Sequence, residues 1–324
     1  MLLFALIGAA IWFAVFAFAR ISALKALPIS QQAAERYAGQ SGKRFVQLSA
    51  FFHPQEGIGE FDILLCNEAL REGLRASGNG LVEIPFAGSV SSDLAVQSAR
   101  GMFRIPAVGT VGYFFFFHPY RLLYGNLMEI PAGNGIVVND RAAWLLFGAV
   151  DVIGQPVLIG GNAYVVSGVI SLMNDRASKA ALDGAESLIF VPYSAMETGL
   201  TCYEVVLPEP VKGFGESLFA SLQTGNTVNN SARFSALAIW KAIMAFPSYN
   251  MASLSAPVPY WENAARNIEM RIILWTMFLS FILLPAAAVL LLLLFVPVLG
   301  RALCVLRNRK GNRINNRQKG VNEP

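Results

Sequence analysis

The residue types that most often perform chemistry are sparse in this chain of 324 residues. There are two histidines, His53 and His118, and a proline follows each of them. A single histidine beside a proline is more typical of a turn or a core position than of a metal site, which needs several ligands at set spacings. The sequence contains no paired-cysteine motif, zinc-protease motif, nucleophile elbow or phosphate-binding loop.

Two other segments resemble functional motifs only in part. Gly57-Ile58-Gly59 lacks the third glycine and the downstream acid of a dinucleotide-binding site. Glu68 and Glu72 lie four residues apart on a predicted amphipathic helix, where paired carboxylates are usually solvated. We therefore predict no catalytic, cofactor-binding or metal-binding residues and a protein that is not an enzyme. A membrane-anchored hydrolase with a dispersed active site is the weaker alternative.

The three cysteines, Cys66, Cys202 and Cys304, allow at most one intramolecular disulfide. Cys304 follows the second apolar run described below, on the predicted cytoplasmic side. A Cys66–Cys202 bridge and two buried free thiols are both compatible with the sequence, because a bridge requires Cα atoms within about 7 Å.

Two long uncharged runs are the plainest pattern in the sequence. They predict transmembrane helices at residues 1–20 and 272–300, since about 20 apolar residues cross a bilayer core. A cleaved signal peptide is the alternative for the first run, because Ala17-Phe18-Ala19 could serve as a cleavage site. No basic residue precedes that run, which favours a retained anchor.

The basic tail at residues 301–324 sets the predicted orientation. It carries seven lysines and arginines and a single acid, an excess that belongs on the cytoplasmic side of a span. Both termini are then cytoplasmic, and residues 20–271 lie outside the cytoplasm. The formal net charge of the chain is +4, and the tail contributes +6 of it, so the rest of the chain has a net charge of −2. The basicity therefore favours contact with anionic membrane lipid and not with nucleic acid.

Between the spans, the pattern predicts an α+β domain of two lobes standing on two helical stalks. One stalk contains a helix at residues 29–39, capped by Ser30 and ended by Gly39. The other starts at Pro259 and continues without interruption into the second span. The predicted parts are a stalk at 21–43, an extracytoplasmic core domain at 44–256 with an inserted lobe at 113–200, and a stalk helix at 257–271.

Within the core domain, strands and helices alternate irregularly, as in α+β folds. Predicted strands are 44–52, 94–111 (broken at Gly101 and Pro106), 136–138, 155–159, 164–170, 187–191, 202–207 and 227–234. Predicted helices are 66–76, 140–147, 211–222 and 237–245. Four consecutive phenylalanines, Phe114–Phe117, predict a buried strand or turn. Gly160-Gly161-Asn162 predicts the turn of a hairpin.

The segment at residues 135–170 combines these elements in a recognisable order. A strand leads into a helix that ends in Leu146-Phe147-Gly148, then an acidic turn, Asp151–Gly154, then a hairpin that ends in Val166-Ser167-Gly168-Val169. This order resembles the outer core domain of MacB-type (FtsX-superfamily) ABC transporter permeases. Upstream segments also resemble that family: Val111-Gly112-Tyr113-Phe114, His118-Pro119 and Leu122-Leu123-Tyr124-Gly125.

The resemblance implies a non-catalytic membrane subunit whose stalk helices transmit the movement of a cytoplasmic ATPase to the outer domain. It implies a separate ATP-binding ABC subunit, other permease subunits and membrane lipid as partners. Such permeases normally continue into further spans, whereas this sequence continues for 24 residues after Gly300. We therefore expect an accessory or truncated permease. The alternative is a membrane-anchored binding, sensor or scaffold protein that is not coupled to ATP.

Overall fold

The computed structural model describes most of the chain. Its described residues are 2–39, 42–78, 83–127, 133–172, 176–182, 186–222, 225–246 and 258–281, followed by 285–286, 289, 292 and 295–296. The predicted tail at 301–324 and the 247–256 end of the predicted core domain lie outside these residues. Among the described residues, no helix combines the length and the hydropathy that crossing a membrane requires.

Nine helices are present in this described part. They are α1 (Leu2–Ala26), α2 (Ala33–Ala38), α3 (Glu60–Ala76), α4 (Phe114–Phe117), α5 (Asp140–Phe147), α6 (Arg176–Ala181), α7 (Phe214–Leu222), α8 (Ala236–Met244) and α9 (residues 260–281). Short 3-10 turns occur at Ile29–Gln31, Pro54–Glu56 and Tyr193–Ala195. Helices α2 to α8 and all strands below belong to one compact unit, Ala23–Ile273, and a second unit combines Met1–Ser22 with the residues from Leu274 onward.

The strands of the described residues form one mixed sheet. They are β1 (Phe45–Phe51), β2 (Phe86–Ser98), β3 (Gly101–Gly112), β4 (Arg121–Gly125), β5 (Gly135–Asn139), β6 (Pro156–Ile159), β7 (Asn162–Ser171), β8 (Ile189–Pro192), β9 (Cys202–Pro208) and β10 (Asn226–Asn229). Their order is β10-β1-β9-β2-β3-β8-β5-β7-β4, and β6 pairs with β2 and β7. The domain is therefore a mixed α+β fold, as predicted.

Buried apolar residues form clusters on this sheet. The hairpin cluster packs α5 against β5 and the β6–β7 hairpin, through residues such as Ile136, Leu146 and Val166. A second cluster packs α3 and α7 against β1 and β9. A third contains Phe114 and Phe190 together with Trp261 of α9. Aromatic contacts of the third cluster thus join α9 to the sheet.

The elements predicted for residues 136–170 are confirmed. Asn139 caps α5 by accepting a hydrogen bond from the Ala142 amide at 2.8 Å. Gly148 ends α5 at φ 76°, in the left-handed region that glycine adopts without strain. Gly160 and Gly161 turn the β6–β7 hairpin. Local sequence signals at caps and turns determine these boundaries.

The predicted helix at 29–39 is interrupted. Ile29–Gln31 forms a 3-10 turn, and α2 begins only at Ala33 and ends before Gly39. The Ser30 side chain caps neither part. The Ala33 amide at the start of α2 instead donates to the Gln47 side chain at 2.8 Å, and the same side chain donates to the Ser30 carbonyl at 2.7 Å. A tertiary contact with β1 therefore overrides the local helix signal.

Other predicted boundaries also differ. The helix predicted from residue 66 starts at Glu60, where the Asp62 side chain accepts from the Gly59 amide at 2.9 Å. Pro106 does not interrupt β3. It lies opposite Asp93 of β2, and the pairing of β3 with β8 begins only at the next residue, Ala107. The four phenylalanines form one helical turn, and the strand predicted at 227–234 ends at Asn229. Strand β4 was not predicted.

Candidate functional site

Polar side chains are buried where α9 and the segment after α1 meet the sheet. Each is at most 7% exposed and belongs to the Ala23–Ile273 unit. We call this set the polar network. Its members are Ser30, Gln31, Gln47, Ser49, His118, Glu204, Asn230, Arg233 and Glu262. Buried polar groups are tolerated when hydrogen bonds satisfy them, so the bonds within this set determine which segments it joins.

An Arg233–Glu262 ion pair fastens α9 to the segment after β10. Both guanidinium ends donate to the carboxylate: Nη1 to Oε2 at 2.9 Å, and Nη2 to Oε1. Arg233 also donates to Gln31 Oε1 at 3.0 Å and lies 3.6 Å from Glu269. On α9 itself, Arg266 donates to Glu262 at 2.8 Å. The two parallel bonds between Arg233 and Glu262 fix the orientation of the two side chains as well as their distance.

Glu204 on β9 is the centre of the other half of the network. The β1–β9 register places Ser49 directly opposite Glu204, so both side chains share one face of the sheet. Ser49 Oγ donates to Glu204 Oε1 at 3.0 Å, and Gln47 Nε2 donates to the same oxygen at 3.5 Å. The other oxygen, Oε2, lies 2.5 Å from His118 Nε2.

Gln47 and Asn230 extend the network to two further segments. The Gln47 side chain donates to the Ser30 carbonyl at 2.7 Å and accepts from the Ala33 amide at 2.8 Å. Asn230 donates to Ser49 Oγ at 2.6 Å. The segment after α1, strand β1 and the segment after β10 are thus bonded together through buried amide groups.

His118 lies between two aromatic rings. Its ring centroid is 4.6 Å from that of Phe114 and 4.5 Å from that of Trp261. The adjoining cavity, which Tyr120 and Tyr260 also line, has a volume of about 20 Å³. Such a volume holds about one water molecule and no organic substrate. His118 therefore links the sheet to α9 and has no room for a reacting ligand beside it.

One thiol and two phenol hydroxyls near the network have raised pKa values and stay protonated at neutral pH. Burial, and then the charge of Glu204, raises the pKa of the Cys202 thiol well above its usual value. Burial likewise raises the pKa of the Tyr120 and Tyr260 hydroxyls, which contact each other. A protonated thiol is a poor nucleophile and metal ligand. Cys66 and Cys202 are both free thiols, so the bridge left open by the sequence is not formed.

The other segments singled out in the sequence lie apart from this network. His53 Nδ1 accepts from the Gln55 amide at 3.3 Å and caps a 3-10 turn. Glu68 forms a half-exposed ion pair with Arg71 at 3.3 Å. Gly57 precedes α3 and packs against the backbone of Gly199. No group of three or more potential ligands among the described side chains could hold a metal ion.

A separate open groove has a volume of about 640 Å³. Aromatic residues form much of its lining, including Phe86, Tyr113, Phe115 and Tyr193, and Glu60 adds one carboxylate. This size and this balance of apolar and polar groups are within the range of small-molecule sites.

Sequence reasoning did not identify the polar network. Arg233 and Glu262 are 29 positions apart, and His118 and Glu204 are 86 apart, so no local periodicity connects them. The one available signal was the four-residue spacing of Glu262 and Arg266 on the predicted stalk helix.

A comparison with known protein families agrees with the resemblance in the sequence. Residues 29–232 match the family described as the MacB-like periplasmic core domain. The periplasmic region of MacB from Actinobacillus actinomycetemcomitans is 13% identical, with a TM-score of 0.40, and the match covers 58% of this chain and 89% of that one.

A second solved structure is the extracellular domain of the noncanonic ABC-type transporter YknZ from Gram-positive bacteria. It is 15% identical, with a TM-score of 0.38, and the match covers 57% of this chain and 99% of that one. Among curated protein sequences, none matches this chain.

Proposed function

The chain belongs to the family of MacB-like periplasmic core domains, and we propose that it is a non-catalytic permease-type subunit of an ABC transporter. In this proposal it is an accessory subunit, and it couples a separate ATP-binding subunit and other permease subunits to an extracytoplasmic domain. The work performed is export or mechanotransmission. Family membership supports the permease-type extracytoplasmic domain, and the remainder is our inference.

The proposed topology follows the apolar runs. Spans at 1–20 and 272–300 hold a two-lobed domain at 44–256, with 113–200 as its inserted lobe, outside the cytoplasm. Stalks at 21–43 and 257–271 connect the domain to the spans, and both termini are cytoplasmic. The basic tail at 301–324 supports this orientation.

The observation that carries the proposal is the fastening of α9 to the sheet by the Arg233–Glu262 pair. A displacement passes through packed, rigid elements and is lost in a flexible linker. The stalk residues 260–271 form one helix with the residues that follow, up to 281. Because the pair is buried and doubly bonded, a shift of this helix is transferred to the segment after β10 and, through Gln31, to the segment after α1.

Copurification in mild detergent tests the partnership. We expect the tagged full-length chain, extracted from its own membrane, to retain an ATP-binding subunit. Within that complex, Arg233→Met should leave assembly intact and remove most of the dependence of ATPase activity on this chain. Asp93→Ala, which cuts the exposed Arg104–Asp93 pair, is the matched control and should have no effect. Full coupling in Arg233→Met would contradict the mechanical role.

Cysteine labelling in intact cells tests the topology. With Cys66 replaced by serine, we expect a membrane-impermeant maleimide to label a Ser92→Cys variant, because Ser92 is exposed on β2. Cys304 should react only after the cells are permeabilised. Labelling of Cys304 without labelling of position 92 would overturn the proposed orientation.

A second candidate function is extracytoplasmic binding without ATP coupling, and the groove lined by Phe86 and Tyr193 favours it. Native mass spectrometry of the purified complex separates the two functions. A retained ATP-binding subunit supports transport, whereas a small-molecule adduct without that subunit supports binding.

A further inference from the structure

Helix α8 exposes an apolar stripe that the polar network does not use. Leu237, Trp240 and Met244 are 58%, 54% and 69% exposed. Their spacing of three and four residues puts them within one narrow sector of the helix surface, since each residue turns the helix by about 100°. Ile239 and Ala242, on the opposite side, are buried. The helix is therefore held by one apolar face and presents a second.

The position of α8 relates this stripe to the predicted membrane boundary. The Ser235 side chain caps α8, only two residues after Arg233. Arg233 lies 3.6 Å from Glu269, and the predicted span begins three residues later, at Ile272. At a rise of 1.5 Å per residue, three residues correspond to about 4.5 Å along α9.

The segment that follows the first predicted span also lies close to the start of α8. Ser235 and Phe234 line one surface groove together with Lys25 and Pro28, which follow the first predicted span within a few residues. Leu27 and Ile29, in that same segment, are 38% and 40% exposed. The start of α8 thus lies beside both segments that enter the predicted spans.

We propose that α8 rests on the outer surface of the phospholipid bilayer, with Leu237, Trp240 and Met244 at the boundary between headgroups and acyl chains. This inference rests on the membrane placement in the proposed function. Tryptophan is enriched at that boundary because its ring is apolar and its N–H can meet polar headgroups. Lys241 is exposed on the same side, where it can pair with lipid phosphate.

A bilayer suits this stripe better than a second protein does. Three side chains supply only a few hundred square ångströms, whereas a stable protein interface buries about 800 Å² on each partner. A lipid surface requires no complementary shape, and short amphipathic helices bind it through their apolar faces. Seated in this way, α8 would hold the sheet at a fixed height above the membrane while α9 moves.

Fluorescence quenching in lipid nanodiscs tests this inference on the full-length chain. Cys66 and Cys304 are replaced by serine, and the fully buried Cys202 is kept. An environment-sensitive NBD label is then attached at Trp240→Cys. The matched control is Trp144→Cys on α5, since Trp144 is 55% exposed and Trp240 is 54% exposed. A third label at Ser280→Cys reports on the predicted span.

The nanodiscs contain phosphatidylethanolamine and phosphatidylglycerol, with doxyl quenchers placed either near the headgroup or deep in the acyl chain. We expect the label at position 240 to emit at shorter wavelength than the label at 144. The shallow quencher should remove most of its signal and leave that of position 144 unchanged. The label at 280 should respond to the deep quencher.

The three labels distinguish the ways in which the inference can fail. If the label at position 280 is quenched and the label at position 240 behaves like that at position 144, the predicted span is supported. The placement of α8 on the bilayer surface is then overturned. A shorter-wavelength emission at 240 without quenching would mean that protein covers the stripe, which also overturns it. An unquenched label at 280 would overturn the predicted span and the proposed topology as well.

Discussion

The polar network and the hairpin cluster both pack helices against the sheet, but different kinds of side chain make the contacts. In the hairpin cluster, the buried polar groups include Asn139 and Ser167, which are uncharged and bond to backbone atoms. In the polar network, ionised groups such as Arg233 and Glu262 bond to one another. The first region is held mainly by apolar packing, and the second depends on directional bonds between polar and charged side chains.

The difference follows the distance along the chain between the parts that meet. The hairpin cluster takes much of its packing from residues 136–170, whose order is set by short turns. The polar network joins Gln31 to Arg233, 202 positions apart, and Ser49 to Glu204, 155 apart. Apolar packing is tolerant of small shifts, whereas a forked ion pair accepts one geometry. We infer that the network specifies how α9 and the segment after α1 dock on the sheet.

The largest expected effect is that of cutting the network at α9. Glu262→Ala leaves the buried Arg233 without its forked partner, and breaking a buried pair typically destabilises by about 3–5 kcal/mol. Hydrogen exchange of the full-length chain in detergent should show lost amide protection in residues 260–273 and β9. Protection in β5 and β7 should be retained.

The same measurement on Asp93→Ala provides the control, because the Arg104–Asp93 pair is exposed and worth about 0–1 kcal/mol. Equal loss of protection across both regions in Glu262→Ala would show that the sheet opens as a single unit. The contrast between the two regions would then have no energetic basis.

The next largest effect is expected from a cavity in the hairpin cluster. Leu146 is fully buried on α5, and truncation of a buried leucine to alanine costs about 2–5 kcal/mol. Leu146→Ala should therefore lower protection in α5, β5 and β7 and leave residues 260–273 unchanged. Protection lost at α9 instead would indicate that the two regions unfold together.

The hairpin cluster and the polar network also differ in how much of each could be predicted from the sequence. The elements at 136–170 were predicted because Asn139, Gly148 and the Gly160-Gly161 turn are local signals. The two-part helix at 29–39 was not, because its conformation is set by a hydrogen bond from Gln47 on β1. The polar network remained hidden for the same reason: its pairs are formed by the tertiary fold, and composition or spacing does not encode them.

The smallest expected effect is a dependence of stability on alkaline pH that originates beside the network. Burial and the charge of Glu204 raise the pKa of Cys202 in the folded chain, whereas the thiol in the unfolded chain loses its proton near pH 9. Its stabilisation is therefore complete below that pH and decreases as the pH rises towards the folded pKa. The loss approaches about 1.4 kcal/mol per pH unit for one group. Tyr120 and Tyr260 add similar losses from about pH 10 upward.

Denaturant unfolding of the full-length chain in detergent at about pH 8, 9 and 10, followed by tryptophan fluorescence, measures this dependence, because this range brackets the ordinary pKa of a thiol. Cys202→Ala should flatten the decrease between the two higher values. Val205→Ala, a fully buried control on the same strand, should lower stability at every pH and keep the wild-type slope. An unchanged slope in Cys202→Ala would mean that the alkaline loss arises elsewhere and would contradict the raised pKa of the Cys202 thiol.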